Sequence, residues 1–272
     1  MNRDNLGRSE ERVNPYQALG TIYDDVMDHV DYNGWADFVI DILRDYNGDS
    51  QNSAKPIRII ECGCGTGSLV IRLALSGFKI TAFDKSKEMI AQAKSKGSQM
   101  QEPPDFMVAD FGTFRSDKAY NVCLCLYDSV NYIMSQSALE EFFSNINQLL
   151  ESDGILIFDI CTEYNSITYF DNNSDENFGK GHHYTRKMTY DKVNRIQQNV
   201  FNIWFKSEPK KLYIETHQQM IYSESVVRAV VEKSGFTVLE IVDGFYRDRV
   251  RDDSLRIHFI CRKAKSGKLL NK

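Results

Sequence analysis

The stretch that most constrains this chain is a glycine turn set between a short apolar run and an amphipathic one. Ile57–Ile60 (IRII) reads as a buried strand, and ECGCGTG follows at residues 61–67. Ser68–Ser76 (SLVIRLALS) then has helical spacing and stops at Gly77. Glycines between a strand and a helix let the backbone turn sharply, and they let a ligand approach main-chain N–H groups at the helix N-terminus. A dinucleotide turn has its third glycine three positions after the second. Here the spacing is G-x-G-x-G, and Glu61 stands two residues before Gly63. An acid at the end of that strand repels a pyrophosphate and suits a cationic ligand.

The pattern around the turn repeats. Asp31–Tyr46 carries apolar residues at 35, 38, 39, 42 and 43, a helical spacing. Phe78–Phe83 reads as a strand and Ser86–Lys96 as a helix with Ser86 at its N-cap. Phe106–Ala109 and Tyr120–Leu126 read as strands, Gln136–Leu150 as a helix, and Gly154–Ile160 (GILIFDI) as an almost wholly apolar strand. Continuously apolar strands that alternate with helices imply a parallel sheet covered on both faces.

The rhythm breaks at residues 163–222, rich in Tyr, Asn, His and Thr, with period-two alternation near Thr185–Tyr190, Arg195–Trp204 and Lys211–Tyr222. A helix at Ser225–Ser234 and strands at Thr237–Phe245 and Leu255–Arg262 resume the first pattern. The expected organisation is one α/β core, 15–162 and 223–263, with an antiparallel insertion at 163–222. That insertion leaves from the ligand-binding edge of the sheet, so it is expected to lie over the site as a lid, or to form a dimer surface. Tyr184, Trp204 or His217 are expected on its inner face. The polar ends, 1–14 and 264–272, are expected to stay loose.

Charge excludes some functions. Lys+Arg 33 against Asp+Glu 38 leaves −5, which argues against a protein built mainly to grip a nucleic-acid backbone. There is no run of about 20 apolar residues and no apolar segment near the start, so neither a membrane span nor a signal peptide is read. Six cysteines without an export signal read as reduced thiols in a cytoplasmic protein. Cys62/Cys64 and Cys123/Cys125 are C-x-C pairs without the partner pair of a metal site, and no metal is expected. His182, His183 and His217 read first as solvated loop histidines.

The E-x-G-x-G-x-G turn resembles motif I of the class I S-adenosylmethionine (SAM) dependent methyltransferases, and the likeness continues along 57–160. The second strand ends in Asp84, the third in Ala109-Asp110-Phe111, and the fourth in Leu126-Tyr127-Asp128. Near the N-terminus, Tyr16-x6-Tyr23-Asp24 and Asp31-Tyr32-x2-Trp35 are similar to small-molecule methyltransferases with a helical cap, as is Asp128-Ser129-Val130-Asn131-Tyr132 after the fourth strand.

This resemblance implies a Rossmann-like, doubly wound, mostly parallel seven-stranded sheet with SAM as cofactor. It implies Gly63, Gly65 and Gly67 in the cofactor turn and Glu61 at the SAM amino group. Asp84 is then expected at the ribose hydroxyls, Asp110 near the adenine amino group, and Phe111 stacked beside it. Lys85, Met89 and Leu126 complete the expected cofactor site, with Tyr23 either at the methionine end or in the core, and Trp35 in packing. Asp128, Tyr132 and His217 are the candidate catalytic groups: a carboxylate to orient an amine, or a base for a hydroxyl. A small-molecule acceptor is expected, with no nucleic acid and no membrane, and possibly as a homodimer. An RNA or protein acceptor, or SAM binding without turnover, are the alternatives.

Overall fold

The computed structural model describes residues 9–47 and 56–265, which build two sheets. The chain runs β1 (Ser9–Val13), a 3-10 turn at Leu19–Thr21, α1 (Tyr23–Val26) and α2 (Tyr32–Asn47). It continues through β2 (Arg58–Cys62), α3 (Ser68–Leu75), β3 (Lys79–Asp84), α4 (Lys87–Gly97), β4 (Asp105–Val108) and β5 (Tyr120–Cys125). Next come α5 (Gln136–Leu149), β6 (Leu150–Cys161) and the single turn α6 (Glu163–Asn165). The insertion supplies β7 (Asn173–Phe178), β8 (His182–Asp191), β9 (Ile196–Phe205) and β10 (Lys211–Met220). The chain closes with α7 (Glu224–Lys233), β11 (Phe236–Asp243), β12 (Asp248–Arg249) and β13 (Arg256–Lys263).

The larger sheet has the order β12-β11-β13-β6-β5-β2-β3-β4. Strands β4, β3, β2, β5 and β6 are parallel, whereas β13 runs antiparallel between β6 and β11. Ile155–Ile160 is buried along almost its whole length because helices cover both faces. On one face α5 and α7 set Phe142, Phe143, Val227 and Val231 against Phe158 and Phe259, whose rings stack at 4.8 Å. On the other, α2 and α3 press Phe38, Ile42, Leu69 and Leu73 onto Ile59, Leu124 and Ile157. Burying one such side chain is worth about 1.5–3 kcal/mol, so the five apolar positions of α2 suffice to dock it. Ser86 caps α4 by accepting the Met89 N–H at 3.2 Å.

Three expectations need correction. The larger sheet has eight strands, because the chain between β11 and β13 folds back as the two-residue β12. Residues 9–13 form β1, which pairs in parallel with β10; SEERV carries no apolar alternation, and only Val13 packs on the second sheet. Residues 1–8 and 266–272 lie outside the described residues. The second sheet, β1-β10-β9-β8-β7, also contains β7, a polar edge strand absent from the sequence reading for the same reason. No helix among the described residues is long and apolar enough to cross a membrane.

Candidate active site

The carboxyl ends of β2, β3, β4 and β5 lie side by side, and the chain leaves each of them through a turn. The resulting cavity has a volume of about 710 Å³ and is roofed by the N-terminal segment through Tyr16, Tyr23, Tyr32 and Trp35. Of the residues expected at the cofactor, Tyr23, Glu61, Gly63, Gly65, Asp84, Lys85, Met89, Asp110, Phe111 and Leu126 all line it.

Backbone geometry explains the glycines individually. Gly63 has φ +75°, and a Cβ there would meet Ser129 Oγ at 2.9 Å and the Phe111 ring at 3.2 Å. Gly65 has φ +53° with open space where a Cβ would go, and its N–H donates to Asp84 Oδ2 at 2.9 Å. Gly67 does not line the cavity. Its φ of +74° turns the chain into α3, and a Cβ would strike the Phe106 ring at 2.9 Å, so this glycine serves helix–strand packing.

The acids differ in what already holds them. Glu61 is buried, its Oε2 has no partner, and burial, together with nearby Asp84, pushes its carboxyl up to about 8. Such a group waits for a cation. Asp84 accepts N–H bonds from Gly65 and from Ser86 (2.8 Å), which fix the carboxylate and leave lone pairs for a diol. Its carboxyl is nonetheless raised, because burial outweighs those bonds. Asp110 is held below its ordinary range, chiefly by the Gly112 N–H and then by Lys85, whose ammonium lies 2.9 Å away. Lys85 is therefore at the rim, tied to Asp110. Phe111 packs edge-on to Phe83 with centroids 6.1 Å apart.

A latch that the sequence did not reveal holds the roof down. Lys96 Nζ reaches Asp24 Oδ2 at 2.6 Å and donates to Thr66 Oγ1 and Ser68 Oγ, both at 2.9 Å. It joins α1, the glycine turn and α4, whose residues lie far apart in sequence. Charge complementarity alone could not have found it.

The three candidate catalytic residues separate. Tyr132 lines the cavity, whereas Asp128 and His217 do not. Asp128 sits at φ +52°, its N–H donates to Asp159 Oδ2 at 2.8 Å, and its carboxylate meets Arg256 at 2.7 Å and Gln219. Arg256 also pairs with Asp159 and lies over the Tyr127 ring at 4.4 Å. Asp128 is thus one member of a buried ion cluster, with its carboxyl raised by burial despite Arg256. In this structure its carboxylate is held by Arg256 and Gln219. His217, on β10, is buried rather than solvated; its Nδ1 lies 3.2 Å from the Tyr132 hydroxyl and its Nε2 3.0 Å from Glu215. His182 is also buried in the sheet.

The insertion contributes no residue to this lining. Tyr184 lies on the sheet face that Glu215 and His217 share, packed with Phe201 against Ala18, Leu19 and Ile22, whereas Trp204 is on the opposite face, where it stacks on His183 at 4.6 Å. The sheet acts one layer back, through Glu215 and His217. Tyr164 and Tyr169, in the first turns of the insertion, line a second cavity of about 550 Å³ with Phe245, Arg251 and His258. Trp35 and Tyr127 border both cavities.

Known proteins share this fold. Residues 59–154 match the family described as a methyltransferase domain. A protein of Geobacillus sp. (strain WCH70), provisionally named a methyltransferase, is 28% identical over 253 residues, covering 91% of this chain and 99% of that protein. The crystal structure of a S-adenosylmethionine-dependent methyltransferase from Clostridium acetobutylicum superposes with a TM-score of 0.79 at 23% identity, over 92% of this chain and 99% of that one. The sugar N-methyltransferase KedS8 from Streptoalloteichus sp. gives 0.72 at 17% identity, over 92% and 95%.

Proposed function

We propose that this chain, a class I SAM-dependent methyltransferase, moves the methyl group to nitrogen or oxygen of a small-molecule acceptor. The observation that carries the small-molecule reading is the roofed cavity of molecular size, bordered through Trp35 and Tyr127 by a second, aromatic-walled cavity.

The residues present fit the cofactor. Buried Glu61, with its orphaned oxygen, suits the amino group; Asp84 suits the ribose diol; Asp110 and Phe111 suit the adenine. Gly65 has open space over its backbone, and Met89 and Leu126 are apolar walls of the cavity. When bound, SAM supplies a methyl group on a sulfonium, already attached to a good leaving group. The protein then has to orient the acceptor and exclude water, and alignment alone can contribute about 7–11 kcal/mol. Tyr16, Tyr23, Tyr32 and Trp35 cover the cavity from above, and Tyr132, in the 3-10 turn at Ser129–Tyr132 after β5, lines it and would face the acceptor.

Transfer of label from methyl-tritiated SAM to size-fractionated metabolites tests this reading. Label in the low-mass fraction supports it. Label only in RNA or protein, or none with SAM bound, overturns it.

A further inference from the structure

Behind the cavity a chain of hydrogen bonds runs from two tyrosines into the second sheet. Tyr16 and Tyr132 both line the cavity, and their hydroxyls are 2.5 Å apart. The Tyr132 hydroxyl lies 3.2 Å from His217 Nδ1, and His217 Nε2 lies 3.0 Å from Glu215 Oε2. Glu215 is fully buried and also accepts the N–H groups of Tyr16 (2.8 Å), Ala18 (2.5 Å) and Leu19 (2.9 Å).

Those partners fix the direction of every bond in the chain. A carboxylate has about four lone-pair sites; three of them receive backbone N–H groups, and the one left, on Oε2, is met by His217, which donates to it from Nε2. A neutral imidazole protonated at Nε2 has an accepting Nδ1. Tyr132 therefore donates to His217, Tyr16 donates to Tyr132, and the Tyr16 oxygen keeps a lone pair for the cavity. Burial raises both phenols, so they carry protons along the chain rather than stand as bases themselves. The groups facing His217 are Tyr16, Tyr132 and Glu215, with the ring of Phe201 beside it.

We infer that the acceptor atom is a hydroxyl oxygen, and that Tyr16, Tyr132, His217 and Glu215 form the path that takes its proton. This rests on the methyl-transfer reading above and narrows it. A neutral amine attacks without losing a proton first, whereas a hydroxyl is a weak nucleophile until its proton moves. As the oxygen lone pair forms the new O–C bond, the methyl–sulfur bond breaks and its electron pair stays on sulfur. The O–H proton passes to Tyr16 Oη, that of Tyr16 to Tyr132 Oη, and that of Tyr132 to His217 Nδ1. The imidazolium so formed lies against Glu215 and returns its proton to solvent after product leaves. Glu215 is a positioning residue: it sets the tautomer and holds the roof segment that carries Tyr16.

Nitrogen-15 NMR of histidine-labelled full-length protein, saturated with S-adenosylhomocysteine (SAH) near neutral pH, reads the tautomer without any acceptor. His217, identified by its loss in His217→Asn, is expected neutral with its proton on Nε2; in Glu215→Gln, whose amide can donate as well as accept, a tautomer mixture is expected. A proton on Nδ1, or on both nitrogens, overturns the path. Transfer from SAM carrying a carbon-13 methyl group then reads the bonded atom from the product's methyl shift. An O-methyl signal is expected, with kcat lowered about a hundredfold in His217→Asn and SAH affinity unchanged. An N-methyl product overturns the hydroxyl assignment while leaving methyl transfer intact; no transfer to any fraction removes both.

Discussion

Binding of SAH is expected to expel a proton from Glu61, and the size of that effect follows from the site. The carboxyl is buried beside Asp84 and raised to about 8, so at pH 7 about 0.9 of the molecules hold it protonated. An ammonium placed against Oε2 stabilises the carboxylate, and close to one proton must leave per SAH bound. Below pH 8 affinity should fall about tenfold per pH unit, since each unit is about 1.4 kcal/mol of ionisation. The sign for stability is the reverse of the usual acidic case. The unfolded chain ionises Glu61 near 4.5 and the ligand-free fold near 8. Between those values the unfolded state binds fewer protons, so the ligand-free fold loses stability as pH rises. Calorimetry in two buffers of different ionisation enthalpy counts the protons, with Glu61→Gln as the control that releases none and binds more weakly. A folded wild-type protein that releases no proton, with affinity flat from pH 6 to 8, refutes Glu61 as the ammonium partner.

Asp84→Ala should weaken SAH binding ten- to a hundredfold, about 1.5–3 kcal/mol for the lost hydroxyl bonds, measurable by the same calorimetry; an unchanged affinity in a folded variant removes Asp84 from the ribose. Gly67→Ala should destabilise by about 1–3 kcal/mol, through its left-handed φ and the contact with Phe106, lowering Tm by several degrees. Arg256→Met leaves Asp128 and Asp159 buried without their cation and should cost about 3–5 kcal/mol in denaturant melts. SAM and SAH should raise Tm, whereas NAD and NADP should not, because Glu61 stands where a pyrophosphate would lie.

What could be read from the sequence was what is local. Parallel strands such as Ile155–Ile160 are buried on both faces and spell themselves as unbroken apolar runs, and α2 spells its single buried face at 35, 38, 39, 42 and 43. Cavity-lining residues at strand ends, such as Asp84 and Asp110, follow from position alone once the strands are found. Strands β1 and β7 were illegible because SEERV and NSDENF are exposed edges with no apolar alternation, and the partners of β7, such as Arg186 for Asp175 and His183 for Glu176, are set by pairing with β8. The ion pair of Asp128 was illegible because its partner, Arg256, lies more than a hundred residues on. Glu215 had no local signature: its partners, Tyr16, Ala18 and Leu19, are some two hundred positions away.

A crystal structure with SAH bound tests the central claim most directly, that the cavity over β2–β5 is the methyl-donor site. The account predicts the amino group against Glu61, the ribose hydroxyls on Asp84, and the sulfur facing the Tyr16 and Tyr132 hydroxyls. SAH bound elsewhere, or in this cavity with its amino group away from Glu61 and its sulfur away from both tyrosines, contradicts it.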